Sequence, residues 1–96
     1  MLVLVTYDIC VSTPEGRRRL QLVAKRCEAV GRRVQNSVFE CLLDAAQLRR
    51  LQNELTGMIA PETDSLRFYN LGDRYTDRVE LRGAAAEPAR GSALVY

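Results

Sequence analysis

The sequence predicts an α+β sandwich in which two helices cover one face of an antiparallel sheet. Three observations predict it: an apolar strand opens the chain, two stretches carry apolar residues at helical spacing, and β-branched or aromatic runs are interspersed with them. The first strand is Leu2, Val3, Leu4, Val5, Thr6 and Tyr7, with Asp8 at its carboxyl end. Ser12 and Thr13 offer caps, Pro14 suits the first helical position and Glu15 complements the helix dipole, so a helix begins near Pro14. Leu20, Val23, Ala24, Cys27 and Val30 form its buried stripe, and Gly31 is placed to end it. Arg33 to Leu43, free of Gly and Pro, reads as one long strand. Asp44 and Gln47 make a capping box for a second helix lined by Leu48, Leu51, Leu55 and Met58, which fades at Gly57 and Pro61. Ser65 to Leu71 reads as a further strand and Arg78 to Arg82 as the last, with turn-rich Gly72 to Asp77 between them. Gly83 to Ser92 is an Ala, Gly and Pro-rich linker leading to a short terminal strand, Ala93 to Tyr96. The expected order is strand, helix, strand, strand, helix, strand. Two right-handed βαβ crossovers split by a hairpin give the ferredoxin-like sandwich, with the first and third strands central.

A chain of 96 residues holds one domain, and at this size only about 60 to 65% of the unfolded surface is buried. Both faces of the opening strand are largely apolar, yet helices cover only one. The uncovered face therefore calls for a partner, most simply a second copy in a twofold dimer. The apolar tail would add a strand to a sheet edge of its own or its partner's. No apolar run approaches the roughly 20 residues that span a bilayer, and no basic segment precedes the first strand, so a cytoplasmic, membrane-free protein is expected. Cys10, Cys27 and Cys41 lack paired spacing and the chain has no His, which removes the commonest zinc and general-base options.

The net charge of +2 is too small to argue for a polyanionic partner, but its distribution does. Between Gly16 and Arg33, the basic Arg17, Arg18, Arg19, Lys25, Arg26, Arg32 and Arg33 face one acid, Glu28. Arg17 and Arg19 border the apolar stripe of the first helix, whereas Arg18 points away from it. Asp8, displayed at a strand tip close to these cations, is the candidate metal ligand. A twofold axis near the strand ends would bring two copies together, and magnesium commonly accepts one or two carboxylates plus water. The polar run Gln35, Asn36, Ser37 in mid-strand would bond across the dimer or line a site.

Tyr7-Asp8-Ile9, the helix opening Gly16-Arg17-Arg18-Arg19-Leu20 and the run Arg33-Val34-Gln35-Asn36-Ser37-Val38-Phe39-Glu40, in this order, resemble the small CRISPR-associated protein two family. The similarity covers roughly Leu2 to Arg82. It implies a ferredoxin-like homodimer whose C-terminal strand joins the partner's sheet. It also implies a magnesium-dependent endonuclease acting on RNA or double-stranded DNA, and a partnership with the spacer integrase of prokaryotic adaptive immunity. By the same resemblance Asp8 is the metal-binding and catalytic acid, one ion being shared by Asp8 of both protomers, and Tyr7 adjoins it in catalysis. Arg17, Arg19, Arg33 and Phe39 are implied to bind the nucleic acid. The loop from Asp8 to the arginines looks longer than in some relatives. The rival reading is a non-catalytic DNA-binding scaffold between integrase dimers, which needs the arginines but not Asp8. A third class, a small-molecule sensor, would be expected to keep a glycine-lined pocket, and no such run follows the first strand; an RNA-cleaving toxin of similar fold remains open on sequence alone.

Overall fold

The computed structural model describes residues 1–83; the expected terminal strand and nearly all of the expected linker lie outside the described residues. Among them the order is β1 (Leu2–Asp8), α1 (Pro14–Val30), β2 (Arg32–Gln35), β3 (Val38–Leu42), α2 (Ala45–Thr56) and β4 (Ser65–Asn70), followed by a 3₁₀ turn, Tyr75–Asp77. The strands pair antiparallel in the order β2-β3-β1-β4, so β1 and β3 are central. This is the expected βαββαβ sandwich, although the stretches bounded from sequence run strand, helix, strand, helix, strand, strand and lack its second strand between the helices.

Two expected elements are corrected. The single strand from Arg33 to Leu43 is a hairpin: Asn36 and Ser37 form the turn, with Gln35 opposite Val38. Short polar residues favour turns because their side chains can replace lost ladder bonds, so the polar run marks a chain reversal and not a site on a strand. Arg78 to Arg82 is not a strand; Arg78 closes the 3₁₀ turn and residues 79–82 have no regular structure. The hairpin supplies the strand needed between the helices, and Ser65–Asn70, counted third from sequence, is the edge strand β4.

The helix starts and stops follow their local chemistry. Thr13 accepts from the Gly16 amide at 3.0 Å, Pro14 occupies the first turn of α1, and Gly31 caps its end through the Cys27 carbonyl. Asp44 and Gln47 complete the capping box of α2 with bonds of 2.7 and 2.9 Å. Val3, Val5 and Tyr7 of β1 and Phe39 and Cys41 of β3 bury against Val23 and Cys27 of α1 and Leu51 and Leu55 of α2. A bidentate Arg26–Glu54 pair, 2.8 and 2.9 Å, ties the two helices together.

Gly16 is required by a close approach. A Cβ there would run into the Cys10 carbonyl oxygen, which is backbone and cannot swing away. Gly16→Ala is expected to cost about 2 kcal/mol by overpacking, read as a lower urea midpoint at unchanged m-value. A midpoint equal to wild type would show that the loop yields freely.

Candidate nucleic-acid and metal site

Side chains alternate along a strand, so the burial of Val3, Val5 and Tyr7 under the helices puts Leu2, Leu4, Thr6 and Asp8 on the opposite, open face of the sheet. Asp8 stands exposed at the end of a central strand, opposite Ser65 of β4, and among the described residues no donor bonds its carboxylate. A free carboxylate at a strand tip is a fit ligand for a hard cation. Among the described residues no group of three or more His, Cys, Asp or Glu is placed to hold a metal.

The open face is also apolar. Leu42 is 63% exposed and Tyr69 43%, on the strands either side of β1, Leu42 opposite Leu2 and Tyr69 opposite Leu4. Near Leu2 the chain folds back, and Leu2, Leu42, Tyr75 and Val79 line a shallow recess. This is the uncovered surface that the two-sided apolar pattern of β1 anticipates.

The other residues singled out from sequence lie elsewhere. Tyr7 is a neighbour of Asp8 along the chain and so faces away from it. Its ring stacks on Phe39 at 6.2 Å, its hydroxyl donates to the Asn36 carbonyl at 3.2 Å, and burial pushes its pKa up to about 12. Tyr7 therefore packs in the core of this chain, on the face turned away from Asp8. Phe39 is fully buried in this chain, and the Arg33 guanidinium lies 5.0 Å over its ring. Arg33 also pairs with Glu28 at 2.7 Å. Arg17 donates to the Val11 carbonyl at 3.2 Å and remains exposed.

Arg19 leans back from the border of the α1 stripe, as its position predicts, but its partner is Asp64, 2.8 Å away. Asp64, whose side chain has no exposure, also accepts from the Cys10 and Ala60 amides at 3.0 and 2.9 Å and from the Thr63 hydroxyl at 3.1 Å. Burial alone would raise its pKa. The Arg19 guanidinium and the two amides outweigh burial and hold the carboxyl well below the usual carboxylate range. Asp64 thereby grips the loop leaving Asp8 from one side while Gly16 packs against it from the other. Cys27 and Cys41 are unbridged thiols buried in the core, where burial pushes their pKa values up to about 12 and about 11.

Two site candidates escape the sequence reading. Arg67 and Tyr69 lie on β4 opposite Thr6 and Leu4, on the face of Asp8, and Arg67 donates to the Tyr69 hydroxyl at 3.1 Å. The alternation in Ser65-Leu66-Arg67-Phe68-Tyr69-Asn70 carries the signal, because Leu66 and Phe68 pack inward and the residues between them must point out.

The family model described as CRISPR associated protein Cas2 matches residues 1–79. The chain is 55% identical over 84 residues to the CRISPR-associated endonuclease Cas2 of Halalkalibacterium halodurans, covering 88% of each chain. It is equally similar, 55% over 84 residues and 88% of each chain, to the CRISPR-associated endoribonuclease Cas2 of Chlorobaculum tepidum. The crystal structure of Streptococcus pyogenes Cas2 at pH 6.5 superposes with a TM-score of 0.75 at 52% identity, covering 86% of this chain and all of that one.

Proposed function

Because the chain belongs to the CRISPR associated protein Cas2 family, we propose that it is a magnesium-dependent endonuclease cleaving phosphodiester bonds in RNA or duplex DNA. It would act in the cytoplasm as a twofold homodimer, alongside the spacer integrase during acquisition of new spacers. The observation that carries this reading is Asp8, an exposed carboxylate at the tip of a central strand, unbonded among the described residues and set on an apolar face that wants a second copy. The Asp8 carboxylates of the two copies would hold a divalent ion, which would supply Lewis-acid stabilisation of the charge that develops on a scissile phosphodiester. The chain's own part is to hold Asp8 rigid and to keep its carboxylate unpaired.

Asp8→Ala is expected to reduce magnesium-dependent cleavage of matched RNA and duplex DNA by roughly a hundredfold or more, with the oligomeric state unchanged by gel filtration. Cleavage at wild-type rate by the variant would sink the assignment. One observation favours the scaffold reading: Arg17, Arg18 and Lys25 of α1 and Arg49 and Arg50 of α2 are exposed on the helical layer, away from the Asp8 face. Such a surface suits a duplex backbone without any metal. Spacer acquisition that survives in Asp8→Ala would assign the biological task to the scaffold.

A further inference from the structure

Resting on the reading of Asp8 as the metal-binding acid, we infer that Asp64 is a positioning residue for Asp8 and that Arg19 serves the same end by holding Asp64. The Asp64 side chain has no exposure, so it acts from inside its own chain whatever covers the open face of the sheet. Arg19, which the resemblance assigns to nucleic acid, is committed to this carboxylate at 2.8 Å.

Asp8 stands where the sheet runs out. The β1–β3 ladder stops at Thr6 and Val38, with one further bond from the Tyr7 amide to the Ser37 carbonyl at 3.2 Å, and the β1–β4 ladder stops at Asp8 and Ser65. The last rungs of a ladder fray first, and a carboxylate that moves with a fraying end is a poor metal ligand. Asp64, the residue before β4, supplies what the ladder lacks. Its Oδ1 accepts from the Cys10 amide at 3.0 Å, so a side chain adds a rung just beyond Asp8. Asp8 is thereby held before and after, between the buried side chains of Tyr7 and Ile9.

The residue type suits the task. The Cys10 and Ala60 amides, the Thr63 hydroxyl and the Arg19 Nε converge on Asp64 at 2.8 to 3.1 Å. An ionised carboxylate accepts at both oxygens, whereas an amide side chain accepts at one and donates at the other end. Burying that charge calls for a cation, and Arg19 brings one from α1. The pair so joins the exit of β1 to α1 and to the turn that enters β4. Loss of the bonds behind a metal ligand costs roughly ten- to a hundredfold in metal affinity or activity.

The test measures binding of Mn2+, an oxygen-seeking stand-in for magnesium, to the full chain without nucleic acid, read by loss of the free-ion paramagnetic resonance signal, together with hydrogen exchange at the Cys10 amide. Asp64→Asn and Arg19→Gln are each expected to weaken Mn2+ binding about tenfold and to quicken Cys10 exchange about tenfold, and the double variant should lose no more than either alone, because the two residues act as one unit. Cleavage should fall at limiting magnesium and return to within about twofold of wild type at saturating magnesium, with KM for the oligonucleotide unchanged. Glu54→Gln unties α1 from α2 away from the Asp8 loop and should keep the wild-type Mn2+ affinity. Wild-type Mn2+ affinity in Asp64→Asn and Arg19→Gln overturns the positioning role and leaves Asp64 a stabiliser of the fold, and an equal loss in Glu54→Gln overturns it as well. Should Asp64→Asn fail to fold, Arg19→Gln keeps the carboxylate and its amide bonds and decides alone. Losses that add in the double variant, or a salt slope of oligonucleotide binding that falls by about one in Arg19→Gln, overturn the part given to Arg19 and assign it to a phosphate. Mn2+ binding that survives in Asp8→Ala, with Cys10 exchange still quickened in the other variants, overturns the metal reading alone.

Discussion

Asp64→Ala is expected to lower the thermal midpoint by roughly 15 °C, the largest stability effect of any single polar side chain in the described structure. The cost has an identifiable origin. Removing the carboxylate strands the Cys10 and Ala60 amides, each an unpaired donor worth about 1 to 3 kcal/mol when buried, and it leaves Arg19 to find water. A total of about 3 kcal/mol shifts a domain of this size by roughly 12 to 24 °C. Asp64→Asn retains one acceptor and should fall between alanine and wild type. The pH dependence supplies an independent reading. The carboxyl is held below its ordinary range, so its contribution is full above the unfolded value near 4 and disappears as pH falls through the folded one. Wild-type stability should therefore decline from about pH 5 downward, and Asp64→Asn should lack that part of the slope. Equal midpoints for wild type and Asp64→Ala, or parallel acid profiles for wild type and Asp64→Asn, would show that the four bonds of Asp64 contribute nothing net.

Caps and spacing made the topology legible. Thr13, Pro14, Gly31 and the Asp44–Gln47 box each act on residues three or four away, and local chemistry survives folding unchanged. The hairpin was illegible because β-branched and aromatic residues run on both sides of Asn36 and Ser37, with no Gly or Pro to punctuate them. Arg78 to Arg82 has the alternation of a strand, but pairing depends on a neighbour that alternation does not specify. Asp8 was legible as a strand-tip acid, and the same alternation separates it from Tyr7, since consecutive strand residues face opposite ways. What no local pattern reveals is commitment. Arg19 and Asp64 are distant in sequence, and so are Arg26 and Glu54, and only the folded chain shows which arginines are already paired.

Mixing wild type with Asp8→Ala is expected to reduce cleavage as the square of the wild-type fraction, not in proportion to it. The reason lies in how little one copy offers a metal. Asp8 is a lone exposed carboxylate, and the described residues hold no cluster of three possible ligands around it or elsewhere. The exposed Leu42 and Tyr69 flank the same strand, a surface that a second copy would cover, and the family resemblance implies that this copy sets its own Asp8 beside the first. If both carboxylates are needed, an equal mixture that has exchanged subunits retains roughly a quarter of the wild-type rate, the share of dimers with both acids intact. If each Asp8 works alone, it retains roughly half. The experiment exchanges subunits in mild urea, removes the denaturant and measures magnesium-dependent rates at several mixing ratios. A straight line would overturn the shared ion while leaving Asp8 as a ligand within one copy. A curve requires the apolar face and the acid at its edge to belong to one device, in which the surface that drives association also completes the metal site.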